Sequence, residues 1–413
     1  MLKTEIVQSA QKFLQQETVS GWLVYDYLSS NPVFRKIITP NGHVTRPCML
    51  FIPPTGSPSL LCHHVDAGKF STEVEGSSSS SELKIHVYSH RTSFIQLLEI
   101  LLSGSSRVAM EYSPLSQLPR VSRVDAGTIE LIQTLGVEVT SSENLMQYAT
   151  QRWSHEQLQG HIETAQKLGQ IVKEAFHFIG TRLHTSGPST KESEQIGSLN
   201  EFDVAEYIRV RFKEEALESP DGPIVSVNAH CSDPHYEPSL KLSSPIKLGD
   251  WVLIDLWARN SKVPNSIYAD ITWTAYVGNE VPEEQQKVFD IVISARDAAL
   301  QYLKDSFIAG KQIQGWEVDS IARNYISEQG YADHFTHRLG HSINNTVHGE
   351  AVNLDDFETH DTRHIIPGIG FSIEPGIYLA EFGVRSEIDA YMSAQGPYAT
   401  SPVQTEIVLI KPE

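Results

Sequence analysis

Cysteine is scarce in this chain of 413 residues: Cys48, Cys62 and Cys231 are the only three, and none stands in a CxxC pair. An odd, scattered set gives no disulfide framework and no thiolate metal knuckle, so reduced buried thiols are the plain reading. Long apolar runs are missing too. No uninterrupted stretch reaches the roughly 18 residues that a membrane helix needs, and the opening MLKTEIVQSAQKFLQQET has no apolar core of the kind a secretory signal carries. The expectation is a cytoplasmic protein with no membrane partner. Positive charge is also short, with 32 Lys and Arg against 51 Asp and Glu and a net charge of -19. That balance argues against nucleic acid or an anionic lipid surface as a partner.

What is present is enough for two cores, since one ordinary core rarely extends over more than about 300 residues. Residues 1–152 alternate helix-like and strand-like segments: a helix near Glu5 to Gln16, strands at Trp22 to Tyr25 and Met49 to Ile52, and a helix near Ser93 to Leu102. This reads as a small α/β domain. The polar stretch from Ser71 through the serine run ending at Ser81 reads as a surface loop. His63 and His64 are adjacent on a strand pattern, which would point them to opposite faces and give them no shared metal. From residue 153 to 413 a second domain is expected. Ser154 and Gln157 form a capping-box pattern ahead of Leu158, Ile162, Ala165, Leu168, Val172, Ala175 and Ile179 at helical spacing. Further helices are expected from near Ser198, after Pro282, and over Val318 to Gln329. Strand patterns fall at Ile224 to Val227, Trp251 to Asp255, Asp270 to Tyr276, Phe371 to Tyr378 and Gly383 to Met392. Paired sets of strands and helices imply an α+β domain, an antiparallel sheet with helices on one side.

The chemistry is concentrated in this second half. Asp255 closes the apolar run Trp251 to Ile254, and Asp270 opens the β-rich run ending at Thr274, with Pro264-Asn265-Ser266 as the turn between them. Charges in buried strand settings need a cation or hydrogen-bond donors. Two acids at one level of a hairpin suggest a shared cation. Three later clusters supply what two carboxylates would lack: His337-Arg338-Leu339-Gly340-His341 with His348 beyond it, Glu374 within SIEPG, and Glu387 within GVRSE. Singly, each acid has an ordinary explanation as an edge residue or salt-bridge partner. Together they make an oxygen-rich, partly nitrogen donor set of the kind that borderline divalent cations take.

In this order the residues resemble the M24 metallopeptidases, the pita-bread family of aminopeptidase P, prolidase and methionine aminopeptidase. The resemblance implies that Asp255, Asp270, His341, Glu374 and Glu387 are the ligands of two divalent ions, Mn²⁺ foremost, with Co²⁺ or Zn²⁺ as the other candidates. It implies a pita-bread catalytic domain preceded by a creatinase-like domain, to which GWLVYDYLSSNP is weakly similar. The proline-peptidase branch is the closer match, which implies an Xaa-Pro aminopeptidase or prolidase acting on small peptides, commonly as a homodimer. In that branch Glu374 would serve as the proton acceptor for a water held between the ions. His235 in PHYEP, His348 and Arg385 would handle the substrate. The chain departs from the family at Trp257 and Trp273 and in the longer gap between the two Asp, which implies a reshaped pocket. Gln404-Thr405-Glu406 offers a second possible final ligand, although Glu387 fits the branch better. The alternatives are a pita-bread protein that only binds and a creatinase-type hydrolase without metal. Neither would need all five ligand types.

Overall fold

The computed structural model describes residues 1–70, 74–75, 83–185 and 198–411. The chain divides into two compact units, Met1–Arg152 and Trp153–Glu413. Among the described residues no helix is long and apolar enough to cross a membrane.

The first unit is organised around the strand Gly21–Asp26, every residue of which is buried. Its side chains alternate between two cores. Trp22 and Val24 pack with Val7, Leu14 and Phe34 on one face, while Leu23 and Tyr25 pack with Leu98 and Ile129 on the other. A six-stranded mixed sheet results, in the order Lys84–Tyr88, Ser59–His63, Cys48–Ile52, Gly21–Asp26, Arg107–Met110, Glu138–Ser141. The helices Thr4–Leu14 and Arg91–Leu101 lie within two residues of where periodicity puts them. The three cysteines are buried and unpaired, and burial pushes the Cys62 thiol up to about 11. One expectation fails here. His63 ends a strand and His64 begins a short helix, so the chain turns between them and the rings lie 4.2 Å apart. Within the expected polar loop, Val74–Glu75 pair in parallel with Leu2–Lys3; residues 71–73 and 76–82 lie outside the described residues.

A buried carboxylate ties this sheet together. Glu111 accepts hydrogen bonds from Trp22 Nε1 at 2.6 Å, Asn31 Nδ2 at 3.0 Å and Ser142 Oγ at 3.1 Å. Burial outweighs these donors and pushes its carboxyl up to about 7. A carboxyl raised on folding favours the native state fully below its unfolded value near 4.5 and loses that contribution as pH rises to about 7. The displacement is worth about 3 kcal/mol. Unfolding free energy of wild type relative to Glu111→Gln is therefore expected to fall by up to about that amount between pH 4.5 and pH 8. Hydrogen exchange in Gly21–Asp26 measures it, and a pH-independent difference would contradict the assignment.

The second unit starts with the expected cap: Gln157 N–H donates to Ser154 Oγ at 3.2 Å and Ser154 N–H to Gln157 Oε1 at 2.9 Å. The helix His155–Thr185 follows, burying Ala165, Leu168, Val172, Ala175 and Ile179. The next helix is capped two residues later than expected, by Asn200 and Asp203, and spans Glu201–Glu214. Both pack on a sheet ordered Ile224–Val227, Trp251–Asn260, Ala269–Val277, Val408–Ile410, with Leu217–Glu218 beside the second strand. Only the last pairing of that path is parallel. The helices Glu283–Ile308 and Gly315–Glu328 share a second core with the antiparallel sheet Ser342–Ile343, Gly370–Ile373, Ile388–Ser393, Gly396–Ala399. The two long strand patterns each break in the middle. Gly370–Ile373 stops at Glu374-Pro375 and resumes as Gly376–Tyr378, while Gly383–Arg385 stops at Ser386-Glu387 and resumes as Ile388–Ser393. Proline offers no N–H to a ladder, so the break at Pro375 has a direct cause. Each break leaves an acid between two sheets.

Candidate metal centre

Strand periodicity sorts the hairpin residues. Val252, Ile254, Leu256 and Ala258 face the helices, and the alternate set starts in the other core with Trp251 and Leu253. Asp255 and Trp257 continue that second row into a cavity of about 230 Å³. Asp255 pairs across the hairpin with Thr272, and Asp270 pairs with Trp257. The two acids are therefore not level but offset by two residues on the same face, a diagonal arrangement still within reach of a common ligand. Trp257 lines the cavity, whereas Trp273 falls on the opposite face, buried in the core beneath Lys173. Of the two tryptophans, only Trp257 is placed where it can shape the pocket.

His341 lies between the bridge of Gly340 to Leu354 and the strand Ser342–Ile343, and at Gly340 a Cβ would come within 2.1 Å of the Ser372 carbonyl oxygen. Only glycine permits that approach. The His341 N–H donates to Ser372 Oγ, which in turn donates to Glu374 Oε1 at 3.0 Å. His341 Nδ1 lies 3.2 Å from the Ser342 carbonyl, which sets the tautomer with Nδ1–H as donor and turns the Nε2 lone pair inward. There Nε2 is 3.4 Å from Glu374 Oε1 and 3.7 Å from Asp270 Oδ2. Asp270, His341 and Glu387 each offer one atom within 4.8 Å of the others. All five expected ligands line the one cavity, together with His235, His348 and Arg385.

Three of those carboxylates keep an oxygen in reserve. Asp255 Oδ1, Asp270 Oδ1 and Glu387 Oε1 are buried with no hydrogen-bond partner among the described residues. Orphaned anionic oxygens beside an inward-facing imidazole nitrogen suit hard or borderline divalent cations, so the residues fit the metal centre that the sequence resemblance implies. Electrostatics point the same way. Burial, then Asp255, Asp389 and Glu374, hold the Asp270 carboxyl well above its ordinary range. Burial, then Asp270, Glu374 and Asp255, do the same to Glu387, and burial pushes Glu374 up to about 7. Crowded acids of this kind ionise fully only when cations join them.

Arg385 is the local counterweight. Its Nη2 donates to Asp255 Oδ2 at 2.6 Å, Nε to Thr272 Oγ1 at 3.1 Å and Nη1 to the Tyr378 hydroxyl at 3.2 Å. Burial opposes its charge, but Tyr378, Asp255, Glu374 and Glu387 outweigh burial and keep it protonated. Thr272 also donates to Glu387 Oε2 at 2.9 Å, and Asp389 accepts the Asp270 N–H at 2.9 Å. Thr272, Tyr378 and Asp389 were not expected. Thr272 is detectable in hindsight as the residue two beyond Asp270, and Asp389 as an acid two beyond Glu387 in a buried strand.

His235 and His348 stand on exposed loops at the cavity edge. The loop of His235 is braced by Glu201, which accepts from Val227 N–H, His230 Nδ1, the Tyr236 hydroxyl and Ser244 N–H. The His348 ring meets His341 edge to face at 4.3 Å. His337 borders the cavity with Nε2 2.7 Å from the Tyr378 hydroxyl; burial, reinforced by Arg385, lowers it to about 3 and keeps it neutral. His230, His334 and Glu350 lie outside the cavity lining. Glu406 is exposed and also outside it, while Gln404 is buried and brackets Thr274. Geometry therefore favours Glu387 over Glu406 as the last carboxylate.

Residues 155–394 match the model of metallopeptidase family M24. Among curated proteins, the chain is 28% identical over 281 residues to an Xaa-Pro dipeptidase of Pyrococcus furiosus, covering 67% of this chain and 76% of that one. It is 32% identical over 211 residues to an Xaa-Pro dipeptidase of Pyrococcus horikoshii, covering 50% of this chain and 55% of the relative. Among solved structures, a dipeptidase from Mycobacterium ulcerans superposes with TM-score 0.68 at 20% identity, over 99% of this chain and 98% of that one. The prolidase of Pyrococcus horikoshii gives 0.59 at 21% identity, over 98% and 100%. At these identities the structural likeness establishes the shared pita-bread architecture.

Proposed function

The chain belongs to metallopeptidase family M24, matched over more than half its length, and on that premise we propose that it hydrolyses the bond between an N-terminal residue and a following proline. Asp255, Asp270, His341, Glu374 and Glu387 would hold two divalent ions, Mn²⁺ foremost with Co²⁺ or Zn²⁺ as substitutes. The observation carrying the reading is a cavity lined by three carboxylates that each keep a buried partnerless oxygen, two of which, Asp270 and Glu387, stand with His341 in a group able to hold a cation. The curated relatives named as Xaa-Pro dipeptidases support the substrate class. A protein that merely binds through this fold, or a metal-free hydrolase, would have no use for that costly cluster.

When bound, such ions supply Lewis acidity and bring the pKa of water toward neutrality. Glu374, its Oε1 steadied by the Ser372 hydroxyl, is placed to take up the proton that such a water gives up. His235 and His348 approach from two loops as donors to the scissile carbonyl oxygen, a role typically worth about 3 to 4 kcal/mol per donor. Arg385 holds Asp255 in place and offsets part of the cluster's negative charge. Ile224, Pro234, Trp257 and Val347 add an apolar wall suited to a pyrrolidine ring. An imide nitrogen carries no N–H, so such a wall leaves no substrate donor unsatisfied. A cytoplasmic homodimer belongs to the same proposal and is tested by light scattering of the purified chain.

Xaa-Pro peptides are expected to exceed the matched Xaa-Ala peptides by at least about tenfold in kcat/KM, a difference of about 1.4 kcal/mol in transition-state stabilisation. Steady-state kinetics with Mn²⁺ present decide it. Equal rates would remove proline selectivity and leave a general metallopeptidase, with Trp257 the first residue to examine.

A further inference from the structure

The segment 335–341 carries His337 and His341 to the cavity, yet residues 335–339 belong to no strand. Backbone groups outside a ladder still need partners. For three of them the partner is one ion pair on the helix Gly315–Glu328. Asp319 is fully buried and accepts from Arg323 Nε at 2.7 Å and Nη2 at 2.9 Å. Its Oδ1 also accepts the Leu339 N–H at 2.8 Å. Arg323 Nη1 donates to the Phe335 carbonyl at 3.0 Å and Nη2 to the His337 carbonyl at 2.8 Å. Alternate residues Phe335, His337 and Leu339 are therefore held along one edge, as an adjacent strand would hold them. The guanidinium is itself fixed, 4.2 Å from the Phe335 ring centre and 4.5 Å from that of Phe357. The other edge of the segment meets the strand Gly370–Ile373 and the Glu374 that follows it. There the Leu339 carbonyl accepts the Glu374 N–H and the His341 carbonyl accepts the Ser372 N–H, both at 2.8 Å.

Resting on the metallopeptidase reading above, we propose that Asp319 and Arg323 are a positioning pair for the metal centre: by fixing Leu339 and the segment around it, they set where His341 and Glu374 stand. Leu339 is the link. Its N–H is held by Asp319 and its carbonyl holds the Glu374 N–H, so a shift of the helix-side anchor passes through one residue to the Glu374 backbone. Neither Asp319 nor Arg323 lines the cavity, and neither is placed to touch substrate. The separation they protect is small: His341 Nε2 and Glu374 Oε1 are 3.4 Å apart. Side chains that share a ligand must be held to within about 0.5 Å to act together. Arginine suits this task where lysine does not. A planar fork meets one carboxylate and two carbonyls at once, as the nitrogens of Arg323 do, whereas an ammonium is a point charge that cannot span them. Burying an ion pair brings little net stability, so the value of this one lies in the geometry it imposes.

The test uses the full chain loaded with Mn²⁺ and follows kinetics on Ala-Pro, Mn²⁺ affinity by calorimetry and folded fraction by circular dichroism. Arg323→Lys, which keeps the charge, is expected to lower kcat by about 10- to 100-fold and to weaken Mn²⁺ binding about tenfold, with KM within about twofold. Arg323→Ala should lose as much, and millimolar guanidinium ion should raise its kcat severalfold without altering wild type. Asp319→Asn keeps the side chain's shape and an acceptor for the Leu339 N–H, so it is expected to fold and, by releasing Arg323, to lose about tenfold in kcat. Wild-type kcat and Mn²⁺ affinity in Arg323→Lys, or losses that merely equal the unfolded fraction, would overturn the positioning role and leave the metallopeptidase reading intact. If the arginine variants do not fold, Asp319→Asn decides, and wild-type kcat and metal affinity in that variant would overturn the role equally. A wild type that binds Mn²⁺ and cleaves no Xaa-Pro peptide would instead overturn the peptidase reading, while the Mn²⁺ affinities of the same variants would still test the pair. A wild type that binds no Mn²⁺ would overturn both.

Discussion

Glu387→Gln is expected to lower kcat/KM by at least about a thousandfold, or about 4 kcal/mol, and to remove most bound metal from the purified protein. The shapes of acid and amide are nearly the same, so the fold should survive. The Thr272 hydroxyl, now 2.9 Å from Glu387 Oε2, can still donate to the amide oxygen. What disappears is an anionic oxygen that has no partner other than a cation. Asp270→Asn should behave alike, since its Oδ1 is orphaned in the same way and its N–H remains tied to Asp389. Glu406→Gln is the control, because Glu406 is exposed and outside the cavity. Metal content by elemental analysis, alongside kinetics on an Xaa-Pro dipeptide, separates the outcomes. Full metal occupancy in Glu387→Gln together with its loss in Glu406→Gln would transfer the ligand role to the terminal strand.

Removing metal with a chelator should make the wild-type protein markedly less stable as pH rises from about 4.5 to about 7. Asp270, Glu374 and Glu387 all have carboxyls raised on folding, in each case chiefly by burial and with neighbouring acids adding to it. Raised acids favour the native state fully below their unfolded values and withdraw that contribution as pH climbs through the folded value, which for Glu374 is about 7. Glu374 alone corresponds to about 3 kcal/mol. Divalent ions reverse the sign of the local problem by giving the crowded oxygens a counter-charge, and binding at a hundred times Kd stabilises by about 2.7 kcal/mol per site. Thermal melts at pH 8 should therefore rise by roughly 5 to 10 °C on adding excess Mn²⁺ to the chelated protein. In chelator at pH 8, Glu387→Gln should melt above wild type, having one buried like charge fewer, and should gain little from Mn²⁺. A chelated wild type whose stability is flat from pH 5 to 8 and indifferent to Mn²⁺ would contradict the cluster's role.

Much of this protein is written locally. The cap at Ser154 and Gln157, the apolar stripe of the helix it starts, and the hairpin turn around Asn265 follow from side chains within a few residues of one another, as does the alternation of Gly21–Asp26 between two cores. The four acids and one imidazole that face one cavity were also visible, because a charge inside an apolar strand pattern is costly and therefore conspicuous. Tertiary structure decided the rest. The hairpin register set Asp255 opposite Thr272 instead of level with Asp270, and sequence carries no local signal for a two-residue offset across a long turn. The same register sent Trp257 into the cavity and Trp273 into the core. Thr272, Tyr378 and Asp389 gained their contacts from partners as many as 119 residues away, and only the folded sheets show that Glu387 is buried and Glu406 exposed. Residue type and period determine which groups can ligate; only the packing of two sheets against their helices determines which of them meet.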